Sequence, residues 1–376
     1  ALDIEEKIIS LNCSSFDSFL IELQPDAVLF DRFFTEEQFG WRVEKTCPHA
    51  LRILDTEDLH CLRNARHILL KRIQQDKSDE QTRQSVDPIV ASEQQLYDVM
   101  VSDDMTQREV ASIFRCDISL MISDYEINLL RDYFFVPQDL LFYFPLTASS
   151  SLTESTHNFS ERSHFIAIGN FRHEPNWDAV LYLKHAIWPR IFEGVKKATG
   201  ENVELHIYGA YPPPKATQLH QPKNGFLVKG WVESATQVMC GSRVCLAPLR
   251  FGAGIKGKLL EAMMCGTPSV TTTVGAEAMC KTLPWGGAIE NSAQEIADAA
   301  VALYCDETRW KVAQSEGFAI LTQNFSSGEH ADLFVGRLEE LRENIADARR
   351  KNFVGAMLRH HTMKSTQYMS QWIESK

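Results

Sequence analysis

The chain has 376 residues, of which 44% are hydrophobic and 23% charged, and its formal net charge is -12. That length exceeds the usual reach of one hydrophobic core, so two domains are expected, and the ordinary composition excludes a disordered or fibrous chain. The negative balance excludes broad contact with nucleic acid or an anionic membrane, which need a positive field, so any anionic ligand must be met by local charges.

In the first half, short apolar runs alternate with amphipathic stretches, the pattern of βαβ units around a parallel sheet. Strands are predicted over residues 6–11, 27–30, 51–54, 118–122 and 141–144, with helices over 15–23, 36–46, 107–114 and 124–134. The polar stretch 74–93 reads as a surface excursion. Small polar residues then interrupt the pattern and suit a linker over 149–163. The resulting division is an N-terminal domain 1–148, the linker, a second domain 164–335 and a helical tail 336–376.

The second domain opens with a predicted strand 164–168, a helix 176–192 and a strand 203–208. Strands 226–228, 244–247 and 269–272 follow, and helical periodicity dominates from 293 onward. The tail carries a basic cluster of Arg349, Arg350, Lys351, Arg359, His360, His361 and Lys364, read as a solvated helix face. Nine cysteines show neither C-x-x-C nor Cys/His zinc spacing, which fits reduced thiols in a cytoplasmic chain. No apolar run is long enough for a membrane span; peripheral membrane contact is left open.

The most informative segment is 244–278, VCLAPLRFGAGIKGKLLEAMMCGTPSVTTTVGAEA. A strand enters a loop with Gly252, Gly254 and Gly257, a helix begins near Lys256, and Cys265-Gly266-Thr267-Pro268 stops it. Glycines let backbone N–H groups approach a ligand, and a helix start adds unpaired donors and partial positive charge, so this is a candidate anion site. Lys256 and Lys258 add two full charges, and Glu261, three residues after Lys258, can accept ribose hydroxyls. The alternative is a structural turn with an i,i+3 ion pair between Lys258 and Glu261.

With the runs FIAIGNFRHEPNWDAV, ELHIYGA and FLVKGWV, this segment resembles the retaining glycosyltransferases of family 4, glycosyl transferases group 1. The resemblance implies an α/β chain of GT-B architecture, two Rossmann-like domains with parallel sheets facing a cleft. It also implies a hexosyltransferase that moves a sugar from a nucleotide-diphosphate sugar to a carbohydrate-type hydroxyl acceptor, with retained configuration and no metal or other cofactor. By the same resemblance Gly169 to Arg172 face the cleft, Arg172 meets the diphosphate, Gly252, Gly254 and Ile255 line the donor loop, and Gly230, Trp231 and Val232 lie near the base. Glu261 matches the second glutamate of the E-x7-E motif, whereas Ala253 stands where the first would be, and the lysine following the family's arginine has no match near Asn176. In the first domain Asp55 to His60 stand where relatives carry a D-x-H-D-like sequence, with Glu57 at the histidine position, so Glu57 and Asp58 are acceptor-side candidates. The alternative for this pair is an acid-favouring helix N-terminus.

The family's first strand and glycine loop have no counterpart after Ala1, which is expected of a fragment or a reduced homologue, binding donor but transferring it poorly. Two rival readings stay open. Gly252-Ala253-Gly254-Ile255-Lys256-Gly257 satisfies G-x-G-x-x-G, with Glu277 twenty residues past Gly257, as in an NAD-dependent oxidoreductase. A non-catalytic nucleotide-sugar-binding homologue is the other.

Overall fold

A computed structural model describes residues 4–148, 158–326, 329–360 and 364–376. The chain divides into two compact units, one made of residues 1–61, 101–144 and 329–376, the other of 62–100 and 145–328. This differs from a division in chain order, because 62–100 folds with the second unit and the tail from 329 with the first. Most of the expected linker, up to residue 157, and His361 lie outside the described residues.

The first unit holds a four-stranded sheet, β1 (Ala27–Asp31), β2 (Leu51–Asp55), β3 (Ile118–Met121) and β4 (Leu141–Tyr143), in that order and all parallel. Parallel strands are covered on both faces, as β3 is: all four of its residues are buried, three of them apolar. Leu51, Ile53, Ile118 and Leu120 pack with Phe142, Phe144 and, from the helix Glu329–Glu343, with Phe334, Leu338 and Leu341.

The strand predicted over 6–11 does not form. Ile4, Ile8 and Leu11 are exposed, so these residues have no covered face to repay the ordering of an extended segment. Buried ions stiffen the rest of this unit. Arg115 donates to both carboxylate oxygens of Glu36, and Asp117 accepts from Arg52 N at 2.9 Å and from Arg349 Nε at 2.8 Å. The helix His60–Gln75 starts on two carboxylates from elsewhere in the unit: Glu109 accepts from His60 N at 3.0 Å and Cys61 N at 2.8 Å, and Glu126 from Leu59 N at 3.2 Å.

The second unit holds β5 (Ser163–Ile168), β6 (Leu205–Tyr208), β7 (Phe226–Gly230), β8 (Ser242–Ala247), β9 (Ser269–Thr271) and β10 (Gly287–Ile289), ordered β10-β9-β8-β5-β6-β7. All pairs are parallel, and counted from β5 the order is the doubly wound 3-2-1-4-5-6. Phe165 and Ala167 of β5 enter a core with Ile187, Ile191 and Ile296, while Ile166 packs on the other face with Met239, Ala262 and Cys265. The helix expected over 176–192 runs as Glu174–Tyr182, a π-turn Leu183–Ile187 and a second helix Trp188–Thr199. Pro189, in the first turn of that second helix, lacks an N–H and its ring crowds the preceding turn, which accounts for the widening.

The excursion 74–93 is tied down rather than free. Arg250, whose side chain is fully buried, pairs with Asp178 and donates to Gln84 O at 3.1 Å and Val86 O at 2.9 Å. Tyr182 Oη donates to Asp87 Oδ1 at 2.6 Å.

Burial pushes the Glu109 carboxyl up to about 7 from 4.5, so between those values the folded state holds a proton that the unfolded chain releases. This contribution to stability is present at lower pH and lost as pH rises through about 7. Urea midpoints of the wild type minus those of Glu109→Gln should therefore decline across that window; a constant difference would contradict it.

Candidate functional site in the second unit

In a doubly wound sheet, ligands bind outside the carboxyl ends of the strands where the order reverses. Here the reversal lies between β5 and β8. β5 runs out into Gly169, and β8 into the loop 248–256 and the helix Gly257–Met264.

Gly169 donates to Tyr208 O at 3.1 Å and stands against the Lys258 side chain. A Cβ on Gly169 would lie 2.6 Å from Asn176 Cγ and 2.8 Å from Lys258 Nζ, so a side chain there would have to displace both. Lys258 Nζ donates to Asn176 Oδ1, and Asn176 Nδ2 donates to Asn170 O at 3.0 Å, which closes the turn after β5. Burial lowers the Lys258 ammonium to about 8. A small cavity of about 20 Å³ sits among Gly169, Asn176, Ala247 and Lys258.

The glycine loop is fixed through its carbonyls. Arg66 Nη1 donates to Gly252 O at 2.7 Å, and Lys256 Nζ, 8% exposed as a residue, donates to Gly254 O at 2.5 Å. Across a trans peptide the carbonyl and the next N–H point oppositely, so the N–H groups of Ala253 and Ile255 are directed away from these two cations. Gly254 adopts φ 62°, a conformation that suits glycine. Lys256 is thus turned into the loop, and Lys258 is the one of the two lysines that faces Gly169.

Glu261, half-buried one turn along the helix, accepts from Thr236 Oγ1 at 3.2 Å; among the described residues it forms no ion pair with Lys258. Thr236 follows the segment Gly230, Trp231, Val232, in which Gly230 takes φ 76° and accepts from Gly209 N at 2.8 Å. Trp231 is 69% exposed, leaving a broad aromatic face uncovered. The Arg172 guanidinium lies 3.9 Å over the Tyr211 ring. Gly169 and Lys258 are thereby brought together, with the Gly252 to Ile255 loop leading into the helix that carries Lys258 and Glu261.

Glu57 and Asp58 belong to the first unit. Glu57 follows β2 with φ 59°, its N–H donates to Asp55 Oδ1 at 3.3 Å, and burial followed by the Asp55 charge raises its carboxyl. Asp58 lies 3.5 Å from His60 Nε2.

Sequence reasoning missed Asn176, Thr236 and Arg66 as parts of the site. Arg66 acts across 186 positions, a separation at which no local pattern operates. Glu277, the acid of the dinucleotide pattern, pairs with Arg66 at 2.5 and 3.0 Å through both carboxylate oxygens. A larger groove of about 630 Å³ is lined by Glu290, Glu295, Asp298 and Glu316 with the single cation Arg309, a negative balance that would repel a diphosphate.

Residues 162–306 match the family model described as glycosyl transferases group 1. No curated protein matches the chain by sequence. Among solved structures, a point mutant of TarM of S. aureus in complex with fondaparinux, alpha-GlcNAc-glycerol and UDP is 12% identical with a TM-score of 0.61, covering 86% of this chain and 58% of its own. The pneumococcal O-GlcNAc transferase GtfA in complex with UDP and GlcNAc is 16% identical at 0.59, covering 87% and 59%. HepE of Anabaena in complex with UDP is 13% identical at 0.53, covering 89% and 81%. The chain therefore spans less than two thirds of TarM and of GtfA. Its fold, α/β with two parallel sheets, matches that of GT-B glycosyltransferases, and the segment carrying the site is similar to glycosyl transferases group 1.

Proposed function

We propose that the chain is a glycosyltransferase that moves a sugar from a nucleotide-diphosphate donor to a carbohydrate-type hydroxyl, with retained configuration and without a metal or further cofactor. The observation that carries this reading is the coincidence of the match over 162–306 with the strand reversal where Gly169 meets Lys258, on the helix that follows the glycine loop.

Breaking the sugar–phosphate bond leaves negative charge on the departing diphosphate. The Lys258 ammonium, the N–H groups of Ala253 and Ile255 and the start of the helix Gly257–Met264 answer that charge, a fixed set of donors needing no reorganisation. Lys256 acts by holding the loop through Gly254 O. Arg172, stacked on Tyr211, leaves that ring to meet the same phosphates. Glu261 takes ribose hydroxyls in place of the Thr236 hydroxyl, and Trp231 offers its ring to the base. Glu57 and Asp58 serve the acceptor. UDP is the first nucleotide to test, given the UDP complexes among the similar structures. Ala253, at the position of the family's first glutamate, favours as second reading a donor-binding protein without turnover; a transfer assay separates the two.

Calorimetry with UDP and UDP-sugars should show Lys258→Ala and Glu261→Ala each weakening binding by roughly 1.5 to 3 kcal/mol, the worth of a charge-assisted hydrogen bond. Unchanged affinity in both would remove the donor from this helix.

Affinity should also fall as pH rises through about 8, where the Lys258 ammonium of the free protein gives up its proton. Lys258→Ala should lose this dependence, and an equal slope in the variant would assign it to another group.

Transfer should survive a chelator, since this reading assigns the charge of the departing diphosphate to lysine and backbone donors rather than to a carboxylate-bound cation. Activity abolished by EDTA and restored by Mg²⁺ or Mn²⁺ would overturn that part of the reading.

A further inference from the structure

At the other end of β5 from Gly169, three side chains with metal-ligating atoms converge. His164 is the second residue of β5, while Glu204, just before β6, and His206, its second residue, lie two apart and so share a face. The strands pair with Phe165 opposite Leu205 and Ile166 opposite His206, which sets His164 beside Glu204. Glu204 Oε2 stands 2.7 Å from His206 Nε2 and 3.9 Å from His164 Nε2, and the two rings are 4.8 Å apart.

His164 takes φ 63°, unusual for a residue with a side chain, and its N–H donates to Tyr304 Oη at 3.3 Å. Its buried Nδ1 has no hydrogen-bond partner among the described residues. The three side chains are 37%, 42% and 17% exposed for His164, Glu204 and His206, so an ion can reach them.

We propose that His164, Glu204 and His206 form a binding site for a divalent first-row transition ion of the zinc class, with water completing its coordination. Two imidazoles and one carboxylate suit zinc, cobalt or nickel, whereas magnesium and calcium prefer oxygen alone. Lys229 and Arg243 act on the same spot and further disfavour an ion held only by charge. On a tetrahedral ion with ligand bonds near 2.0 to 2.2 Å, ligand atoms stand roughly 3.3 Å apart. His206 would retreat from Glu204 and His164 approach it, each by roughly half an ångström. The His206–Glu204 hydrogen bond is then exchanged for two metal bonds; a neutral His206 keeps its proton on Nδ1, and a charged one releases the Nε2 proton. The ion would clasp β5 to β6 roughly 16 Å along the strand from Gly169, so it takes no part in the proposed transfer and does not depend on that reading.

The test titrates metal-stripped protein with Co²⁺, followed by absorption and calorimetry, and then displaces it with Zn²⁺. One equivalent per chain is expected, without the sulfur-to-metal charge-transfer band that cysteine ligands give. Zn²⁺ should raise the thermal midpoint. Glu204→Gln retains an acceptor for His206 and hence the resting contact, but should weaken Co²⁺ binding by at least roughly 10- to 100-fold and abolish the thermal shift. His206→Gln should do the same, with circular dichroism reporting whether it folds; if it does not, Glu204→Gln decides. Equal affinity in Glu204→Gln, a thiolate band in the wild type or no bound Co²⁺ would each overturn the proposal.

Discussion

The candidate donor site depends on one close approach, the Lys258 ammonium against Gly169. An ammonium drawn partly out of water costs free energy unless donors and acceptors replace its hydration. Here Asn176 supplies the acceptor, and Asn176 is itself held by the carbonyl of Asn170 in the turn that Gly169 begins. A side chain on Gly169 would collide with both partners, so the bare backbone at the end of β5 and the cation on the helix after β8 form one arrangement. Burial leaves that ammonium easier to deprotonate than an ordinary lysine, which places its titration close to neutral pH.

The glycine loop illustrates how a phosphate-facing surface can be prepared from behind. Two cations occupy carbonyls, Arg66 on Gly252 and Lys256 on Gly254, and each fixes the following peptide with its N–H directed away. Arg66 is in turn held by Glu277, and the neighbouring His67 stacks on Phe251 with ring centres 4.1 Å apart. Residues 62–100 therefore serve the second unit as a brace for its loop, with the buried Arg250 locking their far end through Gln84 and Val86. A lysine that adds charge by sequence, Lys256, thus adds geometry instead.

The first unit relies on the same device at a different scale. Its buried carboxylates, Glu36, Glu109 and Asp117, are each met by arginine or by backbone N–H groups, because an unpaired buried charge would cost several kcal/mol. Asp117 shows the balance: burial opposes its charge, yet hydrogen bonds from Arg349 and the nearby Arg52 hold its carboxyl below the usual range. Through Arg349 the tail is secured to the sheet, so part of the basic cluster that looks like a solvated face is a structural clamp.

The sequence by itself determined the parallel sheets, since buried strands such as ISLM and the run around VCLAP are written as local apolar patterns. It also determined the strand–glycine loop–helix unit and the helix that carries Lys258 and Glu261, because glycine spacing and a helix start are properties of neighbouring residues. The strand proposed over 6–11 failed for the complementary reason: a short apolar run suits a strand but supplies no partner to cover it. Tertiary structure alone decided which lysine faces the strand reversal, that Glu277 is consumed by Arg66, that Asn176 and Thr236 belong to the site, and that 62–100 and the tail exchange allegiance between units. Each of these rests on contacts between residues tens to hundreds of positions apart, where the outcome is set by burial, by charge pairing and by the space a missing side chain leaves, none of which a local pattern encodes.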